Sequence, residues 1–132
     1  MDDIFHVVSR YTRAQAMADG VLVDVSEVGR EAGFKLPLAL TQAAWNECVA
    51  WTEPDECRGA VGQSESGRLW DVVWMAAHAA RLHRESGRDR ATFSVLRVPR
   101  GGRRMERVAL YVHIGGGDAG EPVATVLLEG ES

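Results

Sequence analysis

The chain has 132 residues, 45% of them hydrophobic and 26% charged, with 14 glycines, 4 prolines and 2 cysteines. A chain of this length buries roughly two-thirds of the surface its unfolded form exposes, so one core can hold a single domain over residues 1–132 without disulfides or a structural metal. Disordered, collagen-like and coiled-coil classes are excluded, and a net charge of −4 leaves only local patches as routes to nucleic acid or anionic lipid.

Ile4, Val7, Val8, Tyr11, Ala14 and Ala18 recur at helical spacing, with Asp19-Gly20 as the stop. One or two helical segments fit, since Thr12-x-x-Gln15 has the capping-box form that allows a break near Arg10 and a restart at Thr12. Val21 to Val25 is short and β-branched, a brief strand or extended link. Ser26 reads as the N-cap of a helix ending at Gly33, and a further helix follows Thr41 with Ala44, Trp45, Cys48, Val49 and Thr52 on one face. Glu53-Pro54 ends that run, and Asp55 to Ser66 reads as a polar loop.

Ser66 would cap the longest helix, Arg68 to about Glu85, whose apolar residues occupy most of its circumference and predict burial between two layers. Beyond Gly87 the period becomes alternating. Thr92–Val98, Val108–Ile114 and Val123–Leu128 read as three strands joined by glycine-rich turns, with Val108, Leu110, Val112 and Ile114 on one face of the second. These elements predict an α+β domain: a helical N-terminal two-thirds whose long central helix packs on a C-terminal three-stranded antiparallel meander. Free edges of the meander would be one route to a homodimer.

No catalytic signature is present. Gly115-Gly116-Gly117-Asp118-Ala119-Gly120 matches G-x-G-x-x-G after a strand, but it runs into Glu121-Pro122 and not into the helix that would face a pyrophosphate, so it reads as a hairpin loop. Gly62-Gln63-Ser64-Glu65-Ser66 begins like a nucleophile elbow and lacks its last glycine. His78 and His83 are five apart, about 140° around a helix, which is not the geometry of a metal pair. Asp71 and His78 share nearly one stripe and, with Asp118, are the residues a small enzyme would use; their ordinary reading is structural. Cys48 and Cys57 form no C-x-x-C pair, and the expectation is two plain thiols, no metal and no cofactor. The acidic start, Met1-Asp2-Asp3, and the short apolar runs predict a cytoplasmic protein with no membrane partner.

Charge is segregated along the chain: residues 1–56 hold ten acids and four bases, residues 57–107 five acids and eleven arginines, and residues 108–132 four acids and no base. Arg97, Arg100, Arg103, Arg104 and Arg107 crowd the turn around Gly101-Gly102, while Arg81, Arg84, Arg88 and Arg90 trail from the long helix. Such a hairpin suits a solvated turn, the carboxylates of another protein, or a phosphate backbone. With a negative net charge, a protein partner ranks ahead of nucleic acid. Trp45, Trp51, Trp70 and Trp74 read as core, a reading that an exposed indole beside the arginines would change.

Tyr11 to Ser26, Ala50-Trp51-Thr52, Gly67 to Met75, and His113-Ile114-Gly115 with Gly117-Asp118 and Gly120-Glu121-Pro122 are similar to landmarks of an uncharacterised family of small bacterial proteins of plasmids, integrative elements and phages. The resemblance covers nearly the whole chain and implies a setting, with no activity or catalytic residue to transfer. The function expected is therefore that of a noncatalytic accessory protein of a mobile element. It would bind a host or element-encoded protein through the basic hairpin and inhibit a host defence complex, the alternative being a nucleic-acid-binding regulator using the same arginines.

Overall fold

The computed structural model describes residues 11–51, 64–84, 90–100, 102 and 104–131. Helix α1 (Arg13–Ala18) opens on the expected capping box, the Thr12 hydroxyl accepting from the Gln15 N–H and the Gln15 side chain from the Thr12 N–H, each at 3.0 Å. This satisfies donors that a helix start otherwise leaves orphaned. Asp19 caps the other end and Gly20 turns the chain at φ +79°. The expected helical residues before Tyr11 lie outside the described residues.

Strand β1 (Leu22–Asp24) leads into α2 (Ser26–Glu31), where Val25 and not Ser26 is the cap. Ser26 is otherwise engaged: its hydroxyl donates to Asp24 Oδ1 at 2.6 Å and accepts from the Leu38 N–H at 2.9 Å, tying the start of α2 to β2 (Leu38–Thr41). Thr41 ends that strand and caps α3 (Gln42–Cys48), accepting from the Ala44 N–H at 3.1 Å. The long helix α4 (Glu65–Arg84) starts earlier than expected, with Ser64 in place of Ser66 accepting from the Gly67 N–H at 3.0 Å. Strands β3 (Arg90–Arg97), β4 (Glu106–Gly116) and β5 (Pro122–Leu128) complete the chain.

The sheet corrects the expected architecture. The domain is α+β, but its sheet has five strands in the order β1-β2-β5-β4-β3 and is mixed. β2 lies parallel to β5, and the other pairs are antiparallel. The three C-terminal strands form the meander, yet the N-terminal part supplies two more strands and is not a helical two-thirds. The error lies at Leu38–Thr41, which is buried at all four positions and so shows no alternation. Its partner β5 is also far away in sequence, beyond the reach of local turn signals.

Alternation places Ala91, Phe93 and Val95 of β3 on the same face as Val108, Leu110, Val112 and Ile114 of β4. Together with Leu38, Leu40, Ala124 and Val126, this face packs against Val72, Val73, Ala76 and Ala77 of α4 and Ala44, Cys48 and Val49 at α3. Each fully buried leucine or valine in this layer contributes about 1.5–3 kcal/mol. Among the described residues, helix α4 buries only one side. Trp70 and Trp74 are 38% and 48% exposed and stack with centroids 5.9 Å apart, whereas Trp51 is buried and Trp45 half-buried. The expectation of a two-sided core helix therefore does not hold for the two α4 indoles.

Candidate partner-binding surface

The ladder of β3 with β4 runs without a bulge from Arg90 opposite His113 to Arg97 opposite Glu106, and of the five expected arginines the described Arg97, Arg100, Arg104 and Arg107 lie at or next to its open end. The structure divides them. Arg97 shares the register of Val95 and Phe93, so its side chain enters the fold and is only 8% exposed. Its guanidinium pairs with Glu47 at the end of α3 and approaches Glu106 Oε1 at 3.6 Å, while its Nε makes no hydrogen bond among the described residues. Arg68, not expected as a site, is buried beside this junction. It donates to the Val49 and Val98 carbonyls at 3.1 and 2.7 Å and lies 4.8 Å from the Trp51 ring centroid.

Arg100, Arg104 and Arg107 are exposed, and Arg103 lies outside the described residues. Arg107 reaches across the ladder, its Nη1 donating to Ser94 Oγ at 3.1 Å. Arg90, at the far end of β3, covers the Tyr111 ring at 4.0 Å, and Tyr111 in turn donates to the Glu131 carbonyl at 2.9 Å. Strand register puts Arg90 and Arg107 on the sheet face away from α4. The same β3–β4 end exposes two apolar side chains that the charge pattern did not reveal: Leu96 is 57% and Met105 62% exposed. Leu96 was legible from alternation, since it shares the even register of Thr92 and Ser94; no sequence signal marked Met105.

The remaining candidates are placed elsewhere. Asp71 and His78 are exposed on α4, and Asp118 is engaged with α1, accepting from the Arg13 and Ala14 N–H groups at 2.7 and 3.0 Å. The Gly115–Gly120 run is a hairpin: Gly120 has φ +82°, the Gly117 N–H donates to the Glu121 carbonyl, and β5 follows directly. Cys48 is buried, and burial pushes its thiol up to about 11 against the opposing pull of Arg97, which keeps it protonated and unreactive near neutrality. Among the described residues no group of His, Cys, Asp and Glu could hold a metal ion, and no helix is long and apolar enough to cross a membrane. The chemistry this surface offers is recognition: guanidinium groups for carboxylates, with aliphatic contacts between them.

Set beside known proteins, the sequence is matched over residues 1–132 by the model of DUF6573, a family of unknown function, and the chain belongs to that family. No curated protein and no solved structure matches it.

Proposed function

We propose that this member of a family of unknown function is a noncatalytic accessory protein of a mobile genetic element that acts by binding another protein through the β3–β4 end. The observation that carries the binding is the exposure of Leu96 and Met105 on a surface that also presents Arg104 and Arg107. A groove that tracks phosphates needs cations and gains little from aliphatic side chains, whereas a protein interface uses apolar contact at its centre with arginine around it. Arg97 is not available to such a partner, being committed to Glu47, so the reading rests on the exposed Arg104 and Arg107, with Arg100 and Arg103 near them in sequence. The mobile-element setting is supported by the sequence resemblance, and we take the bound protein to be part of a host defence complex.

The test is affinity capture by the full chain from host lysate at moderate salt, with and without nuclease. A protein recovered in near-stoichiometric amount in both arms, and identified as a component of a defence complex, is the expected result. Recovery of nucleic acid alone, or capture that nuclease abolishes, would overturn the reading in favour of a nucleic-acid-binding regulator. Recovery of a protein with no defence role would retain the binding and remove its assignment.

A further inference from the structure

The direction of every backbone group in β3 follows from the sheet. The Ala124 N–H donates to the Pro37 carbonyl, so even-numbered residues of β5 turn their backbone groups toward β2 and odd-numbered ones toward β4. Leu127 is opposite Tyr111, and the Glu129 N–H donates to the Ala109 carbonyl, so the odd residues of β4 face β5 and its even residues face β3. Val108, Leu110 and Val112 are opposite Val95, Phe93 and Ala91, which leaves the backbone N–H and C=O groups of Arg90, Thr92, Ser94 and Leu96 pointing out of the sheet. Among the described residues no backbone hydrogen bond reaches them.

Among the described residues this edge shows few of the usual protections. It is eight residues long, contains no proline and pairs with β4 without a bulge, whereas the opposite edge, β1, has three residues and runs straight into α2. The same even residues carry their side chains on the sheet face away from α4, where Thr92 and Leu96 are exposed. At one end of the row stands Arg90. At the other stand Arg104 and Arg107, the latter bonded to Ser94, and none of these three forms an ion pair among the described residues.

We infer that the β3 edge takes up an extended acidic segment of the partner protein as a sixth strand, its backbone pairing with Arg90, Thr92, Ser94 and Leu96 and its carboxylates meeting Arg90, Arg104 and Arg107. The inference rests on the protein-binding reading above and specifies how that partner is held. Main-chain pairing supplies affinity and alternate side chains supply selection, as in other strand additions. Charge selects against a second copy of this chain. Antiparallel self-pairing brings Arg90 of one copy to the Arg104–Arg107 end of the other, and parallel pairing sets Arg90 beside Arg90.

The experiment uses the whole protein and two blocked eight-residue peptides, one alternating glutamate with threonine and valine, the other with lysine in place of each glutamate. Amide hydrogen exchange read by NMR reports each β3 position. The acidic peptide is expected to slow exchange at Thr92, Ser94 and Leu96 by roughly tenfold or more while leaving Phe93 and Val95, already bonded to β4, unchanged; the lysine peptide is expected to do neither. Thr92→Pro removes one outward N–H without touching the β4 ladder and should weaken the acidic peptide roughly tenfold. Equal effects of the two peptides, protection confined to other elements, or a wild-type chain that dimerises through this edge would each overturn the inference. If Thr92→Pro fails to fold, the wild-type exchange pattern decides. Lysate capture separates the two claims: capture that survives Thr92→Pro and is lost on Arg104→Glu with Arg107→Glu sinks the edge and keeps the protein-binding reading. A wild type that captures no protein sinks that reading whatever the peptides do.

Discussion

Arg97 on β3 and Glu47 on α3 form an ion pair in which the arginine is 8% and the glutamate 51% exposed. The pair links the end of the helix to the end of the edge strand, and it removes one arginine from a group of five that the sequence presents as equivalent. Charge alone does not distinguish a cation that holds the fold from one that meets a partner; strand register does.

Removing either partner tests this division. Arg97→Ala and Glu47→Ala are each expected to destabilise by about 1–3 kcal/mol, the half-exposed glutamate keeping the cost below that of a fully buried pair. Arg104→Ala and Arg107→Ala should stay within about 0.5 kcal/mol of the parent. Urea unfolding midpoints measure all four, and equal costs for Arg97 and Arg104 would remove the distinction.

Asp118 in the β4–β5 turn accepts from the first backbone N–H groups of α1, so the short helix is capped from across the fold as well as by Thr12. Asp118→Ala should cost about 0.5–2 kcal/mol, and Asp118→Asn, which keeps an acceptor, less. Amide exchange within α1 should accelerate in the alanine variant before the sheet is affected.

The Cys48 thiol is buried and raised to about 11. In a Cys57→Ser variant at pH 8, a thiol-directed disulfide reagent should modify Cys48 only as fast as the protein opens, and at once when it is unfolded. The unfolded thiol ionises first as pH rises from about 9, so stability should fall over that interval. Rapid modification of the native protein would contradict the packing around α3.

The hydrogen bond from Ser26 holds the Asp24 carboxyl below its ordinary 3.8, with smaller help from Arg13 and Arg30. A depressed acid contributes stability above its unfolded value and loses it as pH falls through the folded one. The unfolding midpoint should therefore drop below about pH 4, and Asp24→Asn should flatten that limb. An unchanged acid limb in the variant would show that other carboxylates govern it.

Two helix starts were legible because a side chain caps a backbone group locally, whereas at α4 Ser66 offered the same signal two residues beyond the true cap, Ser64. Thr12 with Gln15, and Thr41 before Ala44, sit three residues from their partners and signal themselves. The alternation of β4 was equally plain. Ser26 misled because its hydroxyl serves Asp24 and Leu38, a contact twelve residues away, and Leu38–Thr41 was hidden by burial on both faces and a distant parallel partner. Trp70 and Trp74 misled in the opposite sense: indoles in an apolar helix look like core, but among the described residues α4 is covered on one side only. For the site, composition located the basic hairpin and could not sort its arginines: the inward turn of Arg97 follows from its strand register with Phe93 and Val95, and its partner Glu47 comes from an element fifty residues earlier.

In the proposed function the exposed cations of the β3–β4 end hold a protein partner. Its most direct test is capture by the double variant Arg104→Glu with Arg107→Glu beside the parent chain, with thermal unfolding recorded for both. Loss of the partner at an unchanged unfolding temperature is the expected result. Capture equal to that of the parent, with the fold intact, would contradict it.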